Sequence, residues 1–175
     1  MSADTHPFAY CPRCGAGGLE FNAINRFTCG SCGFLFYQNT ATATGVILSV
    51  TDHNDDILFL RRGVDPQKGM LDFPGGFVEP GESVESALAR EVQEEIGCSV
   101  GELAFLCSAP NRYTHRDVTY PTCDLVFTGR VDTRPSWFDR GEIEEIVVIP
   151  RGSIDVEAIA FPSLRAAMRT FLHSN

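Results

Sequence analysis

The chain reads as an α/β protein, a mixed β-sheet with helices packed against it, preceded by a small cysteine-bearing module. Three observations predict this. Apolar, β-branched runs recur at 41–50, 57–62, 103–109, 122–131 and 142–150, which is strand texture. Two segments, 83–96 and 161–173, space their apolar residues as helices do. Residues 11–36 carry two Cys-x-x-Cys pairs in a stretch too short to bury a core of its own. Strands first, one helix midway and one at the end suit a sheet covered by helices. At 175 residues and 43% hydrophobic, the chain can form one ordinary domain plus a small module.

In order, 1–10 reads as a loose tail, 11–36 as the module and 39–175 as the main domain. ATATGVILSV (41–50) is a buried strand and ILFLRR (57–62) a second, with DHNDD a polar turn between them. DPQKGMLDFPGG is loop with room for a short strand. The first clear helix runs from Ser83 to Ile96: Ser83 is an N-cap candidate, Glu85 lies in the first turn, and Gly97 falls where a helix ends left-handed. Strands at 103–109 and 122–131 flank NRYTHRDVTYP, read as a polar and aromatic loop. A strand at 142–150 follows, and a last helix places Leu164, Met168, Phe171 and Leu172 on one face.

A formal charge of −9 argues against nucleic acid held by bulk electrostatics. No apolar run reaches the ~18 residues that span a bilayer. The start, MSADTHPFAY, has no basic patch followed by an apolar run. An odd count of seven cysteines adds to the expectation of a reducing, cytoplasmic setting. Cys98, Cys107 and Cys123 read as small buried hydrophobes.

Cys11, Cys14, Cys29 and Cys32 form two knuckles, with glycines at 15, 30 and 33 permitting the tight turns. Four thiolates complete a closed tetrahedral site that suits Zn²⁺ and leaves no open position. The alternative is two disulfides or redox pairs; the spacing and the reducing setting favour zinc. The module resembles a zinc ribbon. Arg13 and Arg26 are most of its positive charge, which points to a structural or homodimerising role rather than nucleic acid.

On a helical wheel Val84, Leu88, Val92 and Ile96 form an apolar stripe. Glu91, Glu94 and Glu95 share an adjoining face, with Glu95 pointing nearly as Val84 and Leu88 do. A solvated acidic face would gain from alternating signs, yet only Arg90 stands beside these acids. Divalent cations remove the repulsion, and hard oxygen ligands suit Mg²⁺.

The stretch from Gly76 to Cys98 fits the pattern G-x5-E-x7-R-E-U-x-E-E-x-G-U, U being bulky and apolar, through Gly76, Glu82, Arg90, Glu91, Val92, Glu94, Glu95 and Gly97; Cys98 replaces the last U. On these residues the chain resembles the Nudix hydrolase family from about 39 to 175. A Cys₄ ribbon ahead of such a domain is similar to NADH pyrophosphatases. The resemblance implies a Nudix α/β/α sandwich with a mixed sheet. It implies hydrolysis, with Mg²⁺ or Mn²⁺, of a nucleoside diphosphate linked to another moiety. By position, Glu91 and Glu95 are metal ligands, Glu94 a ligand or base, and the Gly75 carbonyl a further ligand. Arg90 orients Glu82 and Glu91.

Later acids able to serve as base are Glu142, Glu144 and Glu145, with Asp124 an outsider. Arg61, Arg62 and Lys68 are candidates for substrate phosphate. Arg112, Tyr113, His115, Arg116 and Tyr120 suit phosphate contact and base stacking. Where NADH pyrophosphatases carry a Ser-Gln-Pro-Trp type signature the text is SAPNRYTHR, which lacks the Gln and Trp and argues against NADH. ADP-ribose, nucleotide sugars, dinucleoside polyphosphates and nucleoside triphosphates remain as small-molecule substrates. Two alternatives stand beside this: a non-catalytic sensor of an ADP-ribose-like nucleotide, and an RNA cap-removing protein.

Overall fold

The computed structural model describes residues 8–116 and 118–174; most of the predicted tail, 1–7, lies outside them. The chain divides into two compact units, residues 1–40 with 112–121, and 41–111 with 122–175.

In the first unit β1 (Leu19–Phe21), β2 (Arg26–Cys29) and β3 (Leu35–Tyr37) form an antiparallel sheet in that order. The Asn22 side chain accepts from the amides of Ile24, Asn25 and Arg26, and so shapes the β1–β2 turn. Phe8 meets Phe27 and Phe36 edge-on, and Phe21 stacks on Phe27 at 4.6 Å. Phe27 is the large fully buried side chain here. One aromatic cluster of this size makes a thin core.

The second unit holds β4 (Ala41–Val50), β5 (Asp56–Arg62), β6 (Leu71–Asp72), β7 (Gly75–Phe77), α1 (Val84–Ile96), most of β8 (Gly101–His115) and β9 (Val118–Val131), β10 (Ile143–Ile149) and α2 (Pro162–His173). The strand order is β10-β5-β4-β9-β8. β4 runs parallel to β9 and antiparallel to β5, so the sheet is mixed. Helices cover both faces. Val46, Leu48, Leu58, Leu60 and Phe127 pack under Leu88, Val92 and Ile96 of α1, while Ile47, Ile57, Phe59 and Val126 pack under Leu164, Ala167 and Met168 of α2. Double coverage explains why the central strands read as unbroken apolar runs. Phe171 and Leu172 join the α2 cluster half-buried.

The fold opens a fork where the Gly76–Cys98 motif, the box of this family, sits. β4 pairs with β5 through Leu48–Val50 but with β7 through Ala43–Gly45. β5 in turn passes its far end to β6. One element departs from the sequence reading: NRYTHRDVTYP is not a loop. Residues 111–115 end β8 and 118–121 begin β9, with Arg116 at φ 46° after β8. Proline and polar residues signal loop locally, but these arms are neighbours in the sheet, and strand pairing overrides composition.

Candidate metal centres

The four thiols of the first unit converge. Their Sγ atoms all lie within 4.8 Å of one another, with Cys11–Cys32 at 3.8 Å and Cys14–Cys29 at 3.7 Å. A disulfide needs about 2.05 Å, and all seven cysteines are free. Tetrahedral Zn–S bonds of about 2.3 Å would set sulfurs roughly 3.8 Å apart, so the spacing fits zinc. The Cys32 backbone amide leads in pulling the Cys29 thiol down to about 7. At Cys32 the Phe34 amide pulls down, but burial and the three neighbouring thiols outweigh it and raise that thiol to about 12.

The second site is built on α1. Ser83 caps it, its side chain accepting from the Ser86 amide, and Gly97 ends it at φ 66°. Arg90 lies at the centre. Its Nε and Nη2 donate to Glu82 at 2.8 and 3.1 Å, and its Nη1 donates to Glu91 at 2.9 Å and Glu94 at 3.0 Å. Nη2 also reaches the Phe77 carbonyl at 3.1 Å. These bonds raise the arginine further, Glu82 foremost, and the same hydrogen bonds hold Glu82 below the usual carboxylate range.

Glu95 stands apart from that knot. One of its oxygens accepts the Gly75 amide at 2.8 Å. Withdrawal from water pushes its carboxyl well above the ordinary range, against the pull of that amide; Asp72, Glu91 and Glu142 add repulsion. Burial also raises Glu91, partly offset by Arg90. Gly75 is required by the backbone beside it, and a side chain at Gly76 would displace the Glu91 carboxylate. A Cβ at Gly75 would lie 2.1 Å from the Thr44 carbonyl, and one at Gly76 would lie 2.4 Å from a Glu91 oxygen.

The structure therefore gathers Glu82, Glu91 and Glu94 on one guanidinium and sets Glu95 on the β7 loop. Among the described residues only the cysteines bring three or more ligand atoms within that 4.8 Å limit. The four glutamates of the motif do not meet that limit. Glu142 is exposed, and its carbonyl accepts the Gly63 amide at 2.7 Å; its charge is felt by both Glu91 and Glu95. Glu145 pairs with Arg61 at 3.2 Å, and Glu144 is exposed.

Arg62 departs from the sequence reading as a phosphate contact. Its guanidinium is bonded to Asp72 at 2.5 Å and to the Pro66 carbonyl at 2.7 Å, and lies over the Phe161 ring. Arg61 also bonds the Gly69 carbonyl, and Lys68 is exposed. Asp124 is not an available base: it is buried and accepts from Thr122, Asn111 and Ser163. Arg112, Tyr113, His115, Arg116 and Tyr120 fall in the first unit, where the Tyr113 and His115 rings stack at 6.5 Å. Sequence reasoning missed Asp72 and the Gly75 amide. A lone Asp before Phe-Pro-Gly-Gly carries no signal, and a backbone donor carries none at all.

Fold and site together define an α/β/α sandwich with an acidic loop–helix–loop at a fork in its sheet. Residues 40–173 match the NUDIX domain family, and the chain belongs to that family. It is 32% identical over 136 residues to an NAD-capped RNA hydrolase NudC of Deinococcus radiodurans, covering 78% of this chain and 46% of that protein. It is 38% identical over 81 residues to an ADP-ribose pyrophosphatase of Methanocaldococcus jannaschii, covering 45% and 46%. The chain thus spans less than half the length of these relatives. Among solved structures, a NUDIX hydrolase of Nitrosomonas europaea aligns with TM-score 0.65 at 20% identity, covering 96% of this chain and 92% of that one. The NUDIX domain of Shewanella oneidensis NrtR, complexed with ADP ribose, aligns at 0.61 and 18%, covering 77% and 88%. Both confirm the fold. Among the described residues no helix is long and apolar enough to cross a membrane.

Proposed function

We propose that this protein hydrolyses the pyrophosphate bond of a nucleoside diphosphate linked to another moiety, of ADP-ribose or dinucleotide type, using Mg²⁺ or Mn²⁺. The observation that carries this is the arrangement at α1: four carboxylates, one arginine that sorts them, and a glycine loop pressed against them. Residues 40–173 belonging to the NUDIX family support it.

Glu91, Glu94, Glu95 and the Gly75 carbonyl would hold the ions, and their hard oxygens fit the donor set that Mg²⁺ takes. The ions would supply charge neutralisation at the bridging phosphates and a more acidic water. Arg90 holds Glu82 and Glu91 in orientation through charge-assisted bonds. We assign the proton acceptor to Glu94, whose side chain is 61% exposed and so can both meet water and release the proton. Arg61 is our remaining phosphate contact on β5. Arg112, Tyr113 and Arg116 are our candidates for reading the nucleoside. Zn²⁺ on Cys11, Cys14, Cys29 and Cys32 would have a structural role, and the odd cysteine count supports our reading of a reducing, cytoplasmic setting.

A second reading is removal of an NAD cap from RNA, which the name of the D. radiodurans relative favours. The charge of −9 and SAPNRYTHR in place of the NADH signature weigh against it. A sensor role would tolerate lost box acids, and all are present. Assaying ADP-ribose, NADH, nucleotide sugars, dinucleoside polyphosphates and NAD-capped RNA with Mg²⁺ or Mn²⁺ tests the proposal. Hydrolysis of a small diphosphate that collapses in Glu95→Gln supports it. Full activity in both Glu94→Gln and Glu95→Gln contradicts it.

A further inference from the structure

We propose that Thr44 is a positioning residue of the box: its hydroxyl steadies the Glu91 carboxylate when a divalent ion is held there. The inference rests on the proposed function above. Thr44 is 5% exposed, and its Oγ1 is the one buried side-chain polar atom with no hydrogen-bond partner among the described residues. Native structures rarely leave such a group unpaired without a use for it.

The sheet places this hydroxyl. Val46, Leu48 and Val50 on β4 face α1, whereas Ile47 faces α2. Thr44 shares the parity of the first set, so its side chain projects to the α1 side. Its partner across the antiparallel ladder is Gly76. Opposite residues project to the same face with Cβ positions roughly 4.5–5.5 Å apart. A Cβ at Gly76 would lie 2.4 and 2.8 Å from the two Glu91 oxygens. The Thr44 side chain therefore projects to the side on which the Glu91 carboxylate lies over the bare Cα of Gly76, where a direct or water-bridged bond would join the two. Arg90 donates to one Glu91 oxygen only; the other is open to a second donor.

The residue type is informative. Valine has the same shape and continues the pattern of Val46, Leu48 and Val50, and it would avoid the unpaired hydroxyl. A hydroxyl here costs stability in the ion-free protein, and an ordered partner in the ion-loaded protein recovers it.

The test is Mn²⁺ binding to the zinc-loaded full chain, followed by electron paramagnetic resonance of free Mn²⁺, alongside melting with and without Mn²⁺. Thr44→Val is expected to melt at the same or a higher temperature without Mn²⁺. It should bind Mn²⁺ about five- to tenfold more weakly and show a smaller Mn²⁺-induced rise in Tm, with kcat reduced more than KM is raised. Thr44→Ser should behave as wild type. A purely structural threonine would shift both melting curves equally and leave Mn²⁺ affinity alone. Unchanged Mn²⁺ affinity in Thr44→Val, or in Thr44→Ala should valine misfold, overturns the inference while leaving the ion site standing. Weakening in Thr44→Ser equal to that in valine also overturns it. If wild type takes up no Mn²⁺ beyond its zinc, the reading of the box falls first, and Thr44 with it.

Discussion

The cysteine site and the glutamate site solve opposite problems. In the first unit four thiols already lie at the spacing of a closed tetrahedron. In the second, four carboxylates are held by other groups, three gathered on Arg90 and one on a glycine amide. A closed site can hold a unit together but has no position left for a substrate. An open site must stay incomplete to do chemistry, so its acids need a holder. The surroundings follow suit. The ribbon has one fully buried phenylalanine as its core, whereas α1 lies on a layer of fully buried Val, Leu and Ile.

The sharpest way to break the comparison is to remove zinc. A strong chelator, or Cys29→Ser, should unfold residues 11–40, because metal binding of about 10–16 kcal/mol stands in for the missing core. The second unit should keep a cooperative melt. Limited proteolysis and metal analysis, with about one zinc per chain expected, check this. A ribbon that resists proteolysis without zinc would contradict it.

Next in size is the acidic site. Glu94→Gln is expected to lower kcat by about 10²–10⁴. Arg90→Ala should lower stability, since Glu82 and Glu91 lose their shared partner. Arg90→Lys should rescue little, since one ammonium cannot replace the fork. Urea unfolding measures both.

How much of this was legible from sequence divides along the same line. The cysteine site was legible whole, because spacing along the chain sets it. The glutamate helix was legible to its caps, Ser83 and Gly97, since capping is local. What was hidden came from partners that spacing does not reveal: the Glu95 bond to Gly75, the capture of Arg62 by Asp72, and the β8–β9 arms at 111–115 and 118–121 read as loop. Charge type reveals that an arginine will pair, but only topology says with what.

A smaller effect concerns pH. In the ion-free protein, burial raises the Glu95 carboxyl well above its ordinary range. A carboxyl with a raised folded-state pKa favours folding below its unfolded pKa and loses that contribution as pH climbs through the folded value. Zinc-loaded protein desalted free of Mg²⁺ and Mn²⁺ should therefore gain Tm as pH falls from neutral towards about 5, and Glu95→Gln should flatten that slope. Glu82, held low by Arg90, works in the opposite sense and loses its contribution only at more acid pH. Smallest of all, Gly97→Ala should cost about 1–2 kcal/mol, from its φ of 66° and a Trp137 ring carbon 3.2 Å from the new methyl. Thermal melts resolve it.

The most direct measurement is anomalous diffraction at the manganese edge from crystals soaked in Mn²⁺. The account predicts a manganese peak on α1 in contact with Glu91, Glu95 and the Gly75 carbonyl, with Arg90 still orienting Glu82 and Glu91. Soaked crystals with no manganese peak at this helix would contradict it.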